Sequence, residues 1–164
     1  MDNMIVKKPN AYIICGFIGA GKTTFARKLE KETGAMRITK DEWMVKIFGN
    51  EITSDKNFEK YDKKVTELAK HIAFKMLESG SDVIIDEGFW AKSQRDDLKK
   101  KILDMGAKPI LYYVECPVEE MRERVVGRSK IPPEDSFEIS GEMFDSYVKY
   151  WEPPMEDEEF ILAK

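Results

Sequence analysis

A glycine-rich stretch at residues 16–24 constrains the fold of this chain more than any other feature. It fits the pattern G-x-x-x-x-G-K-[ST], whose fixed positions are Gly16, Gly21, Lys22 and Thr23. An apolar, partly β-branched run precedes it at residues 11–15, and a stretch of helical periodicity follows it. Strand, glycine loop and helix in this order are the context in which the pattern forms a phosphate-binding loop, the P-loop.

The P-loop predicts a site for a nucleoside triphosphate and Mg²⁺. Successive backbone N–H groups can surround the phosphates, and the positive end of the following helix points at the same place. Glycine at positions 16, 19 and 21 permits backbone angles and close approaches that a Cβ would block. We expect Lys22 to reach the β- and γ-phosphates and the Thr23 hydroxyl to ligate Mg²⁺. The residues predicted to bind the triphosphate are Gly16, Phe17, Ile18, Gly19, Ala20, Gly21, Lys22, Thr23 and Thr24.

The composition is typical of one globular domain. A chain of 164 residues can bury a substantial core, and it is 42% hydrophobic and 35% charged. The net charge of −4 argues against a protein that binds nucleic acid without sequence specificity, because such a protein needs a basic face. The two cysteines form neither a metal-binding spacing nor a disulfide framework, and no apolar run approaches membrane-spanning length. We therefore expect a cytoplasmic protein without membrane contact.

Periodicity and turn residues predict five strands separated by helices. The strands are expected at 11–15, 35–39, 81–87, 108–114 and 160–162. The helices are expected at 22–33, from about residue 41, at 55–79, at 92–105, after Pro117 and at 140–151, whereas 50–54 is predicted as polar loop. Each crossover is long enough for a parallel connection, so a three-layer α/β sandwich follows.

One predicted helix carries a long apolar stripe. Within 55–79 the stripe comprises Phe58, Tyr61, Val65, Leu68, Ile72 and Met76, and its spacing predicts a core-facing surface. His71, the only histidine, lies beside this stripe and is interpreted as a structural or surface residue.

Carboxylates follow two of the predicted strands. Asp41 lies where the second strand gives way to a helix, and it can act as the helix N-cap, as a ligand-binding group at the sheet edge, or as both. Asp86 and Glu87 end an apolar strand, which matches the pattern of a Walker B strand. Asp86 is expected to hold Mg²⁺, directly or through water, or else to contact the acceptor substrate. Two solvated acids at a strand end would explain the same pattern.

A basic helix after Pro117 predicts a lid. It carries Arg122, Arg124, Arg128 and Lys130 before two prolines. A solvated helix face would explain these charges. The functional interpretation is a lid at about residues 122–133 that brings arginines onto a transferring phosphoryl group, because a guanidinium binds two phosphate oxygens at once.

Taken together, these residues resemble the small P-loop kinases, and in particular the group of polynucleotide 5′-kinases, zeta toxins and chloramphenicol phosphotransferase. The resemblance extends over nearly the whole chain and is most specific at the P-loop. It implies the P-loop NTPase fold, with a five-stranded parallel sheet in the order 2-3-1-4-5 and a small lid, in one domain over residues 1–164. It also implies ATP as the phosphoryl donor and Mg²⁺ as its metal.

The resemblance also implies roles for individual residues. Asp41 matches the family's base, which accepts the proton of the acceptor hydroxyl. Asp86 matches an aspartate near the acceptor. Arg124 and Arg128 match an arginine pair of the lid, and Lys22 matches the phosphate-binding lysine.

One position departs from the family pattern. Polynucleotide 5′-kinases carry an arginine three positions after the base, where it binds the phosphate of the acceptor, and this chain has Met44 there. The departure makes a nucleic-acid acceptor unlikely on sequence grounds and favours an uncharged or sugar-like small molecule. We expect the acceptor pocket to involve Trp43, Met44, Phe89 and Trp90, although core packing is the simpler role for the last two.

Three hypotheses follow for the function. The leading one is an ATP-dependent phosphotransferase that moves the γ-phosphoryl group to a hydroxyl of a small molecule. The second is an NTPase or nucleotide switch without an acceptor, in which Glu87 polarises a water. The third is a non-catalytic nucleotide-binding module. The acceptor, the base preference of the donor and the oligomeric state lie beyond the sequence.

Overall fold

Five strands lie parallel in one sheet. The structure, a computed structural model, describes residues 7–128 and 135–164. Within them the strands are β1 (Asn10–Cys15), β2 (Met36–Ile38), β3 (Val83–Gly88), β4 (Lys108–Tyr113) and β5 (Ile161–Leu162). Their order is β2-β3-β1-β4-β5, and every pairing is parallel. The predicted sheet and its strand order are confirmed.

Helices cover both faces of this sheet. They are α1 (Lys22–Thr33), α2 (Lys40–Phe48), α3 (Phe58–Glu78), α4 (Lys92–Asp104), α5 (Val118–Arg128) and α6 (Gly141–Tyr147). A 3₁₀ helix at Asn50–Ser54 replaces the predicted polar loop, and a second one at Val148–Tyr150 replaces the end of the last predicted helix. None of the helices in the described ranges combines the length and apolar character needed to cross a membrane.

Alternating side chains of the central strands divide the core between the two faces. Ile13 and Ile85 pack on one face with residues of α3 and α4. Ile14 and Ile84 pack on the other face against α1. This period-two alternation is the ordinary geometry of a strand, and it produces the three layers that the sequence predicts.

Helix α3 meets the sheet with a narrower face than its apolar stripe predicts. Its buried residues are Ala69, Ala73 and Leu77, whereas Leu68 is 53% exposed. The small alanine side chains let the helix lie close to the sheet. Of the predicted stripe, Ile72 and Met76 do pack against the core, as expected. His71 is exposed.

Arg95 ties the C-terminal segment to the turn that follows β3. Its Nε and Nη2 atoms donate to the two carboxylate oxygens of Glu158 at 2.8 and 2.5 Å. Nη1 donates to the carbonyl oxygens of Phe89 and Glu152, both at 2.9 Å. Arg95 is completely buried and Glu158 is 7% exposed, so the pair is shielded from solvent. Phe89 has a φ of 50°, and these bonds hold the strained turn in place.

The buried pair predicts a large loss of stability when one partner is removed. We expect Glu158→Ala to lower the free energy of unfolding by about 3–5 kcal/mol, because it leaves the Arg95 charge buried and unpaired. Urea unfolding checks this, with Asp104→Ala as the control because the Lys100–Asp104 pair is exposed. A similar, small loss in both variants would contradict the prediction.

Candidate active site

A cavity of about 960 Å³ lies at the carboxyl ends of β1, β2 and β3. The P-loop after β1, the residues after β2 and the end of β3 form its inner wall. Side chains of α3, α4 and α5 contribute most of the remainder, together with Thr53, residues of the segment 135–139, Tyr147 and Tyr150. Open α/β sheets bind ligands at this edge, because the loops that follow parallel strands meet there.

The P-loop presents the N-terminus of α1 to the cavity without a side-chain cap. Gly21 is the N-cap residue, with a φ of 99°, and no side chain accepts a hydrogen bond from the first turn. At Gly19, which has a φ of 81°, a Cβ would lie 2.7 Å from the carbonyl oxygen of Met121. The glycines are therefore required by backbone conformation and by close packing against α5. Uncapped N–H groups at a helix N-terminus suit an anionic phosphate.

Lys22 lies within the loop, beside the carboxylates of the site. Its Nζ donates to the carbonyl oxygen of Phe17 at 2.9 Å. Burial lowers the pKa of Lys22, while the charges of Asp86 and Asp41 oppose this effect. Thr23, the next residue, also lines the cavity. The structure thus brings these four predicted site residues, Lys22, Thr23, Asp41 and Asp86, to one cavity.

Asp86 has an unsatisfied oxygen that suits a metal ion. The residue is 5% exposed, and its Oδ2 has no hydrogen-bond partner, the nearest cation being Arg37 Nη1 at 3.7 Å. Burial raises the pKa of Asp86 to about 6, against the opposing charge of Lys22. Residues 7–128 and 135–164 hold no cluster of three or more His, Cys, Asp or Glu side chains that could enclose a metal. One carboxylate and one hydroxyl, from Asp86 and Thr23, fit Mg²⁺, which typically takes its other ligands from water and substrate phosphates.

Asp41 lies in the first turn of α2, and Lys40 joins it to α3. Thr39 is the N-cap of α2, so the N-cap interpretation of Asp41 is wrong. Lys40 Nζ lies 3.4 Å from Asp41 Oδ1 and 2.7 Å from Asp62 Oδ1 on α3. Burial lowers the pKa of Lys40, but Asp41 and Asp62 outweigh it and raise the pKa above its ordinary value. The Asp41 side chain remains 44% exposed, so its carboxylate is accessible from the cavity.

A network of arginines and acids supports the wall behind Asp86. Arg37 Nη1 and Nη2 donate to the two oxygens of Glu42 at 2.9 and 3.1 Å. Arg27 Nη2 donates to Glu42 Oε1 at 2.9 Å and also pairs with Asp135. These contacts join α1, β2, α2 and the segment that begins at residue 135. The sequence carries no signal for this network, because no spacing rule relates its members.

Arg124 and Arg128 lie on the last turns of α5, beside the P-loop. Arg124 Nη1 donates to the carbonyl oxygen of Gly19 at 3.3 Å, and its guanidinium pairs with Glu120. Both arginines line another cavity, of about 870 Å³, together with Gly21, Thr24 and Phe25, while Arg128 also lines the first cavity. Burial lowers the pKa of Arg128, and the nearby charge of Arg124 adds to this. Of the predicted lid, residues 129–133 lie outside the described residues.

The predicted acceptor residues divide into two groups. Met44 is completely buried and Trp43 packs against the sheet core, and neither lines the cavity. Because these side chains contribute to the packing of the interior, they do not line the cavity that Asp41 lines. Phe89 and Trp90 do line the cavity, and Trp90 also packs on Phe17 with ring centroids 4.8 Å apart.

Because the carboxylate of Asp86 is buried, removing its charge should stabilise the protein at some pH values and not at others. The pKa of Asp86 is raised from 3.8 to about 6 in the folded state. The protonated side chain therefore stabilises the fold fully below pH 3.8, and this stabilisation is lost as the pH rises through about 6. Without Mg²⁺, we expect Asp86→Asn to raise the free energy of unfolding by about 1–3 kcal/mol near pH 7.5, with no gain near pH 4. Urea unfolding at both pH values checks this, with the exposed Asp104→Asn as control. A less stable variant near pH 7.5 would show that attraction to Lys22 outweighs burial.

Comparison with known proteins finds similarity to proteins that are named as kinases. UMP-CMP kinase 3 of Arabidopsis thaliana is 24% identical over 148 residues, which cover 87% of this chain and 73% of that protein. Two solved structures share the fold. A chain of the Pnkp1/Rnl/Hen1 RNA repair complex is 23% identical, with a TM-score of 0.71, covering 90% of this chain and 45% of that one. A gluconokinase of Sinorhizobium meliloti is 14% identical, with a TM-score of 0.63, covering 94% of this chain and 82% of that one.

A family model described as an AAA domain matches residues 12–154. The match begins in β1 and includes the P-loop, β3 and α5, so it covers the residues that line the cavity. With the strand order and the shared fold, it supports the resemblance to the P-loop kinase group. The chain belongs to this AAA domain family and has the fold of the small P-loop kinases.

Proposed function

We propose that this protein is an ATP-dependent kinase that transfers the γ-phosphoryl group to a hydroxyl of a small molecule. The observation that carries the proposal is the extent of one cavity. It runs from Lys22 and Thr23 in the P-loop past Asp41 and Asp86 to side chains of α3 and α4. A volume of about 960 Å³ exceeds what a triphosphate tail requires, so it leaves room for a second substrate.

The P-loop and α5 form the donor side of this proposal. Lys22 and the uncapped N–H groups of α1 hold the phosphates. The cavity beside Arg124, which Thr24 and Phe25 also line, suits the nucleoside of the donor. Bound between Thr23 and Asp86, Mg²⁺ would neutralise charge on the β- and γ-phosphates. Residues 122–133 act as the lid in this proposal.

Asp41 is the base on the acceptor side. It orients the acceptor hydroxyl and takes its proton, while Lys40 holds the Asp41 carboxylate through the 3.4 Å contact. The hydroxyl oxygen forms a bond to the γ-phosphorus as the bond to the β,γ-bridging oxygen breaks, and ADP leaves. Arg124 and Arg128 offset negative charge on the moving group. Most of the rate would come from positioning and electrostatic stabilisation.

The named relatives leave the acceptor class open. They include a UMP-CMP kinase, a gluconokinase and a chain of an RNA repair complex. A screen of Mg²⁺-ATP with nucleosides, nucleotides, sugars, antibiotics and 5′-hydroxyl oligonucleotides tests the proposal, with a mass gain of one phosphate as the readout. An acceptor that is phosphorylated and that stimulates ADP formation supports a kinase.

An NTPase is the second candidate, and the unpartnered Glu87 Oε1 next to Asp86 favours it. In that case Glu87 would polarise an attacking water. ATP turnover at full rate without any acceptor would support the NTPase and contradict the kinase.

Replacing Asp41 should prevent phosphoryl transfer without weakening ATP binding. We expect Asp41→Asn to reduce phosphoryl transfer by at least about a hundredfold, because the amide cannot take the proton. ATP affinity should stay within about threefold, since Asp41 belongs to the acceptor side. Single-turnover transfer and equilibrium ATP binding measure the two effects, with the exposed Asp157→Asn as control. Wild-type turnover in Asp41→Asn would show that another group is the base.

Loss of either arginine beside the P-loop should slow the chemical step. We expect Arg128→Ala or Arg124→Ala to lower kcat by about 10²–10³-fold, because either change removes a cation that stabilises the transition state. Arg122→Ala is the matched control, since Arg122 lies on the same helix but pairs with Asp145 at 2.8 Å. Steady-state kinetics with a phosphorylated acceptor measure the difference. Equal kcat in all three variants would support the solvated-helix interpretation.

A further inference from the structure

We propose that Glu87 binds a second hydroxyl of the acceptor, next to the hydroxyl that Asp41 activates, and that the acceptor is a neutral polyhydroxy compound. The inference rests on the proposed function, since it concerns the acceptor side of the same cavity. It assigns to Glu87 a role different from the activation of water.

A bulge in β3 lies at Glu87, next to Asp86. Ile14 of β1 pairs with Asp86, but the next residue, Cys15, pairs with Gly88, so Glu87 is the extra residue of the strand. A β-bulge next to a site re-aims a side chain. The carbonyl oxygen of Gly88 accepts a hydrogen bond from Gly16 N at 3.1 Å, which attaches the bulged strand end to the P-loop.

The surroundings of the two neighbouring acids overlap at Asp41 and differ beyond it. Burial raises the pKa of both acids to about 6. The charges of Lys22, Asp41 and Arg37 then act on Asp86, whereas those of Lys40, Lys70, Asp41 and Asp62 act on Glu87. Glu87 lines the same cavity as Lys70 and Asp62 of α3. We therefore assign Glu87 to the acceptor side, with Asp86 between the two sides.

Glu87 has an oxygen that needs a hydrogen-bond donor. Its Oε1 is buried and has no partner in the structure. Lys40 is engaged by Asp62 at 2.7 Å and by Asp41 at 3.4 Å. A buried acceptor atom without a donor costs free energy, so a ligand that donates to it binds more favourably. A hydroxyl group supplies that donor and carries no charge.

The polar groups of this half of the cavity suit hydroxyl groups rather than a phosphate. Thr66, Lys70 and Gln94 line it with donors and acceptors, beside Asp41, Asp62 and Glu87. In the described ranges the arginine that lines this cavity is Arg128, which comes from α5 beside the P-loop. In the described lining of this half, carboxylates outnumber ammonium groups: the acids are Asp41, Glu59, Asp62, Glu67, Glu87 and Asp97, and the cations are Lys40, Lys63, Lys70 and Lys101. An anionic acceptor would therefore add its charge to a lining that is already negative. A polyhydroxy compound donates to the carboxylates and accepts from Lys70.

An acceptor panel tests the chemical class. The full chain is incubated with Mg²⁺-ATP and either neutral compounds (hexoses, pentoses, hexitols and nucleosides) or anionic ones (UMP, CMP, gluconate and a 5′-phosphorylated oligonucleotide). We expect a mass gain of one phosphate in the neutral set. Phosphorylation confined to the anionic set would overturn the inference and leave the kinase proposal standing. No phosphorylation in either set would count against both.

Variants of Glu87 test its role. With the best neutral acceptor, we expect Glu87→Gln and Glu87→Ala to raise the acceptor KM by about tenfold or more. The KM for ATP and the acceptor-independent hydrolysis should stay within about twofold. Removing the neighbouring hydroxyl from the acceptor should lower wild-type kcat/KM about tenfold but have little further effect in Glu87→Ala. Glu78→Gln, at the exposed end of α3, is the control.

Two other outcomes would overturn the assignment. A large loss of acceptor-independent hydrolysis in Glu87→Gln, with acceptor KM unchanged, would show that Glu87 activates water. It would also favour the NTPase over the kinase. A fall in thermal stability with both KM values unchanged would show that Glu87 is structural.

Discussion

The parallel pairing of β1 with β3 and β4 is the constraint on which the rest of the structure depends. Parallel strands direct all their carboxyl ends to one edge, so the P-loop, the residues after β2 and the end of β3 meet there. Residues far apart in the chain, such as Lys22 and Asp86, therefore line one cavity. Helix α1 presents its uncapped N-terminus to the same cavity, because the P-loop connects it to the carboxyl end of β1.

Charge burial at this edge is costly, and the fold offsets it through paired networks. Arg37 and Glu42 satisfy each other behind the cavity, and Lys40 bridges two acids across α2 and α3. Only part of the charge is compensated, since one oxygen of Asp86 and one of Glu87 lack partners. Unsatisfied polar groups inside a cavity are characteristic of ligand sites rather than of stable cores. The unpartnered carboxylates at the end of β3 thus lower the stability of the fold, while the proposed chemistry requires them.

Much of the architecture was predictable, because strands, glycine turns and helices have local signals. The strands and their order followed from apolar runs, turn residues and the resemblance, and the observed bounds of α1 agree with the prediction. The core-facing stripe of α3 was predicted in part: Ile72 and Met76 pack against the core, but Leu68 is exposed. The fully buried Ala69 and Ala73 were missed, because alanine gives a weak hydrophobic signal. Met44 illustrates the same limit, since the sequence shows which residue replaces the family arginine but not that its side chain is buried.

The sequence by itself determined the phosphate-binding loop and the carboxylates at the ends of β2 and β3. These features depend on the backbone freedom of glycine and on residues adjacent in the chain. The tertiary structure alone decided which side chains meet across elements. The Arg95–Glu158 pair, the Lys40 bridge and the bulge of β3 at Glu87 are examples. The reason is physical: such contacts depend on how faces of helices and strands pack, and no spacing along the chain encodes that packing.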